Sequence, residues 1–204
     1  EEEAPRPPLV FNVGIGHPTP EQRMLPGSYK HAWRDVFRRQ LLPELMSFNP
    51  DMIFISAGFD AHKKDRINEG LIALVEDDYE WITTQLCRVA NACCEGRVVS
   101  VLEGGYSIEG GPVSAFARSV HAHVEGLRNA AMSEAPFDVE EAARESDAEM
   151  NVLVEREERR QAKLAAERAK RQEEVQRLLD RKRQLEEAAA ATADPTGDGV
   201  VASM

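Results

Sequence analysis

Two stretches decide how this chain reads: Met52-Ile53-Phe54-Ile55-Ser56-Ala57-Gly58-Phe59-Asp60-Ala61-His62 and Val98-Val99-Ser100-Val101-Leu102-Glu103-Gly104-Gly105-Tyr106. The first opens on a short, unbroken apolar run and the second on a mostly apolar one, and each continues into glycine and polar residues. Runs of this kind predict strands covered on both faces. Between them, residues 77–94 predict a helix with Ile82, Leu86, Val89, Ala90 and Cys93 on one stripe. Upstream, Leu9–Ile15 predicts another strand. A helix is expected from about Ser28, whose hydroxyl can cap it, with Trp33, Val36, Phe37, Leu41, Leu45 and Phe48 on its apolar face. Pro43 should kink or split that helix, and Asn49-Pro50 should end it. A last helix of this part is predicted over 112–131. Strand and helix alternate, which predicts an α/β fold: a parallel sheet with helices on both faces. Functional loops of such sheets lie beyond the carboxyl ends of the strands, here 16–27, 57–70 and 103–111.

Composition sets the outer limits. The chain has 204 residues, 30% of them charged, with a formal net charge of −11, a pI of about 5.0 and a mean hydropathy of −0.45. Phosphate binding needs a basic face, so direct nucleic-acid binding is not expected. No apolar run approaches the roughly 18 residues of a membrane span. The bunched cysteines Cys87, Cys93 and Cys94 do not suggest a disulfide scaffold, and core packing is the better reading of Cys93. An opening at Glu1 with no signal peptide reads as a fragment or processed piece, expected in nucleus or cytoplasm.

Four parts are expected. Residues 1–8 read as an acidic, Pro-rich linker, and 9–136 as the folded part. No aromatic residue follows Phe137, and 137–190 read as a charged helical tail. Residues 191–204 read as a disordered end, because Pro195, Gly197 and Gly199 stop a helix. Along the tail, Glu167 with Arg171 and Glu174 with Arg177 are spaced for intrahelical pairing. In the best heptad register half the seam is polar, so a solvated helix is expected. It would self-associate weakly between about 175 and 189, or serve as a partner-binding arm.

The loop after the second strand places Asp60, His62 and Asp65 just past a buried element. A carboxylate on a rigid strand end suits a hard or borderline metal ion, and in extended backbone Asp60 and His62 point the same way. Equally, Asp60 could cap the following turn with His62 on the surface. In the other loop, Gly104 and Gly105 permit unusual backbone angles and would aim Tyr106 toward the Asp60 cleft. There its phenol could donate to a developing oxyanion. Gly14-x-Gly16 has too little of the dinucleotide fingerprint to carry weight. His121 and His123 do not share a helix face and read as structural or exposed.

Taken together, SAGFDAH, a helix, and VVSVLEGGY resemble the carboxy-terminal half of a zinc-dependent histone deacetylase, nearest the class II branch and its bacterial and acetylpolyamine-amidohydrolase relatives. The resemblance spans about residues 9–130 and implies an arginase/deacetylase-like sheet, here partial. It implies that Asp60 is a Zn2+ ligand and that Tyr106 donates a hydrogen bond in the transition state. It further implies that Gly104 and Gly105 shape the acyl-lysine tunnel, that Asp65 shapes its loop, and that His62 is not a ligand. The family's His-His pair and its zinc-binding Asp-x-His pair have no counterpart in this chain, and Lys64-Asp65-Arg66 stands where relatives often have Gly-Asp-Pro. The expected function is therefore part of a zinc-dependent deacetylase acting on acetyl-lysine in histones or other proteins, inactive as this piece alone. The alternatives are a non-catalytic interaction protein with a degenerate domain, and an acetylpolyamine amidohydrolase.

Overall fold

The computed structural model describes residues 10–192, with side chains through residue 189. The 1–8 linker and nearly all of the expected 191–204 tail lie outside these residues. Two compact units are present, one ending at Val154 and the other beginning at Glu155.

Strand β1 (Ile53–Gly58) pairs in parallel with β2 (Val98–Gly104), from Ile53 opposite Val98 to Ala57 opposite Leu102. Gly58 then faces Gly104, so Glu103 is an extra residue on β2. Such a bulge bends the strand end and re-aims the loop beyond it. The crossover between the strands is helix α4 (Glu76–Cys94), as parallel pairing requires. Helix α5 (Ala115–Ala131) follows β2 and lies close on α4. A Cβ at Gly126 would come within 3.1 Å of the Glu80 carbonyl oxygen and of Thr83.

Before β1, a short helix α1 (Pro20–Met24) starts in a capping box formed by Thr19 and Gln22. Helix α2 (Ser28–Val36) passes through a π-helical turn, Phe37–Leu41, into α3 (Leu42–Phe48). The π-turn is how this helix accommodates Pro43. Proline lacks an N–H and crowds the preceding turn, and a widened turn relieves both. Ser28 does not cap α2; the N-cap is Gly27, with φ +94° and no side-chain bond. Asn49 ends α3 in the left-handed conformation.

The α/β class and the parallel sheet stand as the sequence implied, and two details differ. Residues 10–19 form no strand, and Val10 and Phe11 are exposed. This segment adds to neither outer edge of the two-stranded sheet, so its backbone groups gain no ladder partner there. Ile53, Ile55 and Ala57 face the helices, whereas Phe54 (71% exposed), Val99 and Val101 lie bare on the opposite face. Helices therefore cover one sheet face among the described residues.

The core joins two clusters. Leu42, Ile53, Val89, Ala90 and Cys94 close one end, with Phe137 and Ala142. Around the strand ends, Tyr29, Trp33, Ala57, Phe59, Leu74 and Tyr79 form the other. His123 is buried, its ring bonded to Thr83 Oγ1 at 2.6 Å and Ser100 Oγ at 2.8 Å, while His121 is exposed. Burial holds the His123 imidazole below its ordinary pKa. Cys87 and Cys94 are buried.

Helix α6 spans Val139–Thr192. Within the first unit its opening turns bury Ala142, Ser146 and Leu153. The buried Arg38 guanidinium donates to Glu149 at 2.9 and 3.0 Å and lies 5.0 Å from the Trp81 ring centroid. The second unit, by itself, is an exposed helix. Among its described residues Arg159 pairs with Glu155, Arg160 with Glu157 and Lys182 with Glu186, and the pairs expected of Glu167 with Arg171 and Glu174 with Arg177 are not formed. Leu164, Val175, Leu178 and Leu185 are exposed. No described helix is long and apolar enough to cross a membrane.

Candidate functional site

Both loops of interest leave the carboxyl ends of hydrogen-bonded neighbours. Past the bulge the Phe59 N–H donates to the Gly104 carbonyl at 2.9 Å, so the loops start side by side. Phe59 is 2% exposed, packs against Tyr79 and Phe116, and accepts the Tyr79 hydroxyl on its carbonyl at 3.1 Å. Burial, then the nearby Asp60 and Asp78 charges, raise the Tyr79 phenol pKa.

Asp60 is half-buried. A Cβ at Gly104 would sit 3.3 Å from its Cγ and Oδ2, and one at Gly58 would sit 3.2 Å from Oδ1. Both glycines are thus what leaves room for this carboxylate. The carboxylate itself makes no hydrogen bond or ion pair among the described residues, and it caps nothing. Its main-chain carbonyl accepts from Asn68 Nδ2 at 2.8 Å, and the His62 carbonyl accepts from the same amide at 2.8 Å. The side chain of Asn68, which sequence reasoning did not single out, therefore holds this turn closed.

His62 does not join Asp60, nor does it lie on the surface. It is 1% exposed and faces inward. Its Nδ1 accepts the Lys64 N–H at 3.1 Å, which leaves the ring hydrogen on Nε2, 3.5 Å from Glu76 Oε2. That separation is longer than a hydrogen bond. Glu76 also receives Arg118. Burial pushes the Glu76 carboxyl up, but its own backbone N–H, Arg118 and His62 outweigh this and leave it at about 2.

Asp65 is the residue that ties the loops together. Its Oδ2 accepts the backbone N–H groups of Tyr106 at 2.7 Å and Ser107 at 2.9 Å, and Oδ1 accepts Ile67 N–H at 3.1 Å. Burial raises this carboxyl, yet those three N–H groups hold it below the usual carboxylate range. Gly105 supplies the other constraint. Its φ is +123°, and a Cβ there would meet Phe116 Cδ2 at 2.5 Å. Only glycine fits that conformation in that space.

The loops are brought together, and their two candidate functional side chains differ in setting. Tyr106 is 58% exposed and, with Asp65, Arg66, Ile67, Ser107, Ile108 and Glu109, lines a cleft of about 490 Å³. Asp60 is not among the residues lining that cleft. A catalytic zinc ion takes three protein ligands. No group of three or more His, Cys, Asp or Glu among the described residues could hold a metal ion. The half-buried Asp60 carboxylate has no partner among the described residues, and these residues do not form a complete zinc site.

Comparison with known proteins places these loops in context. Residues 17–127, more than half of the chain, match the family model described as "Histone deacetylase domain". Type-2 histone deacetylase 2 of Dictyostelium discoideum is 43% identical over 118 residues, covering 58% of this chain and 6% of that protein. Histone deacetylase 14, chloroplastic, of Arabidopsis thaliana is 37% identical over 97 residues, covering 47% of this chain and 22% of that protein. A crystal structure titled for the HDA15 HD domain is similar with a TM-score of 0.39 at 25% identity, over 62% of this chain and 31% of that one. The chain spans a minor part of the length of the relatives it matches.

Proposed function

Because the chain belongs to the histone deacetylase family, we propose that the protein is a zinc-dependent deacylase that hydrolyses acetyl-lysine on histones or other proteins, and that this chain supplies Asp60 and Tyr106 to its active site. The observation that carries the reading is the Asp60 carboxylate. It is half-buried, packed over Gly58 and Gly104, and has no partner among the described residues. A carboxylate withdrawn from water without a partner is costly, so such a group is expected to engage a cation or a substrate donor. As a zinc ligand, Asp60 would be one member of a larger set.

Amide hydrolysis places negative charge on the acetyl carbonyl oxygen as water adds. The Tyr106 phenol, standing open in its cleft, would donate to that oxygen, and Asp65 would hold the Tyr106 backbone in place. Gly104 would leave room for Asp60, and Gly105 would let the chain turn tightly over Phe116. A donor aimed at a developing oxyanion contributes roughly 10²–10³-fold in rate.

The test is acetate release from an acetyl-lysine peptide by the full-length protein, together with its zinc content. Asp60→Ala should abolish turnover and lower bound zinc, while Asp60→Asn should reduce both less. Full turnover and unchanged zinc in Asp60→Ala would overturn the assignment. A non-catalytic interaction protein is the second reading. It is favoured by the absence of a three-ligand cluster among the described residues, and it expects no hydrolysis by the wild-type protein.

A further inference from the structure

We propose that Arg118 is a positioning residue for Tyr106: it braces the far end of the loop that carries the phenol, and so fixes the wall of the cleft in which the hydroxyl stands. The inference rests on the deacylase reading and on the role given there to Tyr106. It comes from how unevenly that loop is held. At its start, Asp65 accepts the Tyr106 and Ser107 N–H groups, and the Ser107 carbonyl accepts the Phe116 N–H at 3.3 Å. The Ile108 N–H donates to the Tyr106 carbonyl at 2.9 Å. Beyond Ile108 such ties run out. Gly110 and Gly111 have φ of +97° and +73°, and a Cβ at Gly110 would meet nothing within 4 Å. Among the described residues, a single hydrogen bond reaches residues 109–113, and it comes from Arg118, whose Nη1 donates to the Val113 carbonyl at 2.6 Å.

Arg118 is itself fixed. It belongs to α5, and its Nε donates to Glu76 Oε1 at 2.5 Å, from the first turn of α4. A guanidinium presents its donors in one rigid plane, so two bonds made at once set both its position and its orientation. Its charge is matched by Glu76, which leaves it a brace rather than a cation offered to a ligand. Its place is the meeting point of the two loops. It lines a cleft of about 340 Å³ with Lys64 and Arg66 from one loop and Ser107, Glu109 and Gly110 from the other.

The bonds to Asp65 fix the Tyr106 main chain, but they leave its ring free to turn about its own side-chain bonds. That ring is 58% exposed. Its surroundings then decide where the hydroxyl stands. Ser107, Ile108 and Glu109 line the same cleft of about 490 Å³ as Tyr106, and Glu109 opens the stretch that Arg118 alone holds. Released at Val113, this wall would shift and give the phenol more orientations. Misplacing a reacting group by about 1 Å costs up to about 10²-fold in rate. The loss falls on kcat, because the phenol acts on the transition state and not on bound substrate.

The experiment measures kcat and KM for an acetyl-lysine peptide, together with bound zinc, in the full-length protein. Arg118→Ala is made alone and in the Tyr106→Phe background. Alone, it should lower kcat by about 10- to 100-fold, with KM and zinc content little changed. In the Tyr106→Phe background it should lower kcat no further, because the hydroxyl it positions is already gone. A merely structural role would lower kcat by the same factor in both backgrounds. Should Arg118→Ala fail to fold by circular dichroism, Arg118→Lys carries the test. Its single ammonium cannot hold Glu76 and Val113 as the guanidinium does, so kcat should fall severalfold, again only where Tyr106 is present. Unchanged kcat, an equal loss in both backgrounds, or a fall in bound zinc overturns the proposal and leaves the deacylase reading standing. No hydrolysis by the wild-type protein, or wild-type kcat in Tyr106→Phe alone, overturns the proposal together with the reading it rests on.

Discussion

The Asp65 carboxylate accepts the backbone N–H of Tyr106 at 2.7 Å, so a residue of the first loop fixes the main chain of the second. Removing the acceptor leaves the N–H groups of Ile67, Tyr106 and Ser107 without this partner. Asp65→Ala should lower stability by about 1.5–3 kcal/mol, the range for hydrogen bonds to a charged group. Urea denaturation measures that loss. Amide hydrogen exchange should accelerate at Tyr106 and Ser107 more than in α4. A uniform change across the fold would assign Asp65 a general role rather than a local one.

Gly105 should tolerate no side chain. Its φ is +123°, and a Cβ at this position would stand 2.5 Å from Phe116, so backbone and space act together. Gly105→Ala should cost about 2–5 kcal/mol, combining backbone strain with overpacking. Adding Phe116→Leu should recover part of that loss, giving a favourable coupling of about 1 kcal/mol in a double-mutant cycle. Strict additivity would show that the clash is not the cause.

Acid should weaken the fold through Glu76. Its carboxyl is held at about 2, below the ordinary 4.5. The unfolded chain therefore takes up this proton first, and protons favour unfolding. The contribution is fully present above about 4.5 and is lost as pH falls toward 2. Glu76→Gln should flatten this part of the stability profile, measured by denaturant melts between about pH 6 and about pH 2.5. An unchanged slope in the variant would contradict the assignment.

Within the first unit, Arg38 should anchor the opening turns of α6 to the π-helical turn that carries it. The guanidinium is 3% exposed and grips Glu149 with two bonds. Breaking a buried pair costs about 3–5 kcal/mol. The low end is expected for Arg38→Ala, because the Glu149 side chain keeps 40% of its surface in water. Hydrogen exchange over 139–154 should rise selectively. Arg38→Lys should rescue little, since a lysine cannot supply the two-pronged grip.

Much of this architecture was legible because local signals agreed. The apolar runs at Met52 and Val98, the glycines beyond them and the periodicity over 77–94 marked both strands and the crossover helix. Pro43 marked the disturbed turn before it. The run over 10–15 misled because strand-forming residues report a capacity for pairing, not that the pairing forms. Phe54 and Val99 misled in a related way: a β-branched or aromatic residue fits a buried face and a bare one equally. At the site, Asp65 was readable from its place in the motif, but its bonds to Tyr106 and Ser107 were not. Asn68, Glu76 and Phe116 left no signal, because their roles arise from contacts between loops and helices distant in sequence. The burial of His62 was hidden likewise, since spacing alone does not say which side of a turn faces inward.

The role of Tyr106 is tested most directly by the turnover of Tyr106→Phe in the full-length protein, with acetyl-lysine peptide hydrolysis followed at saturating substrate. Loss of the hydroxyl should lower kcat by roughly 10²–10³-fold with KM little changed, because the phenol acts on the transition state and not on bound substrate. Wild-type kcat in that variant, with the fold intact by circular dichroism, would contradict it.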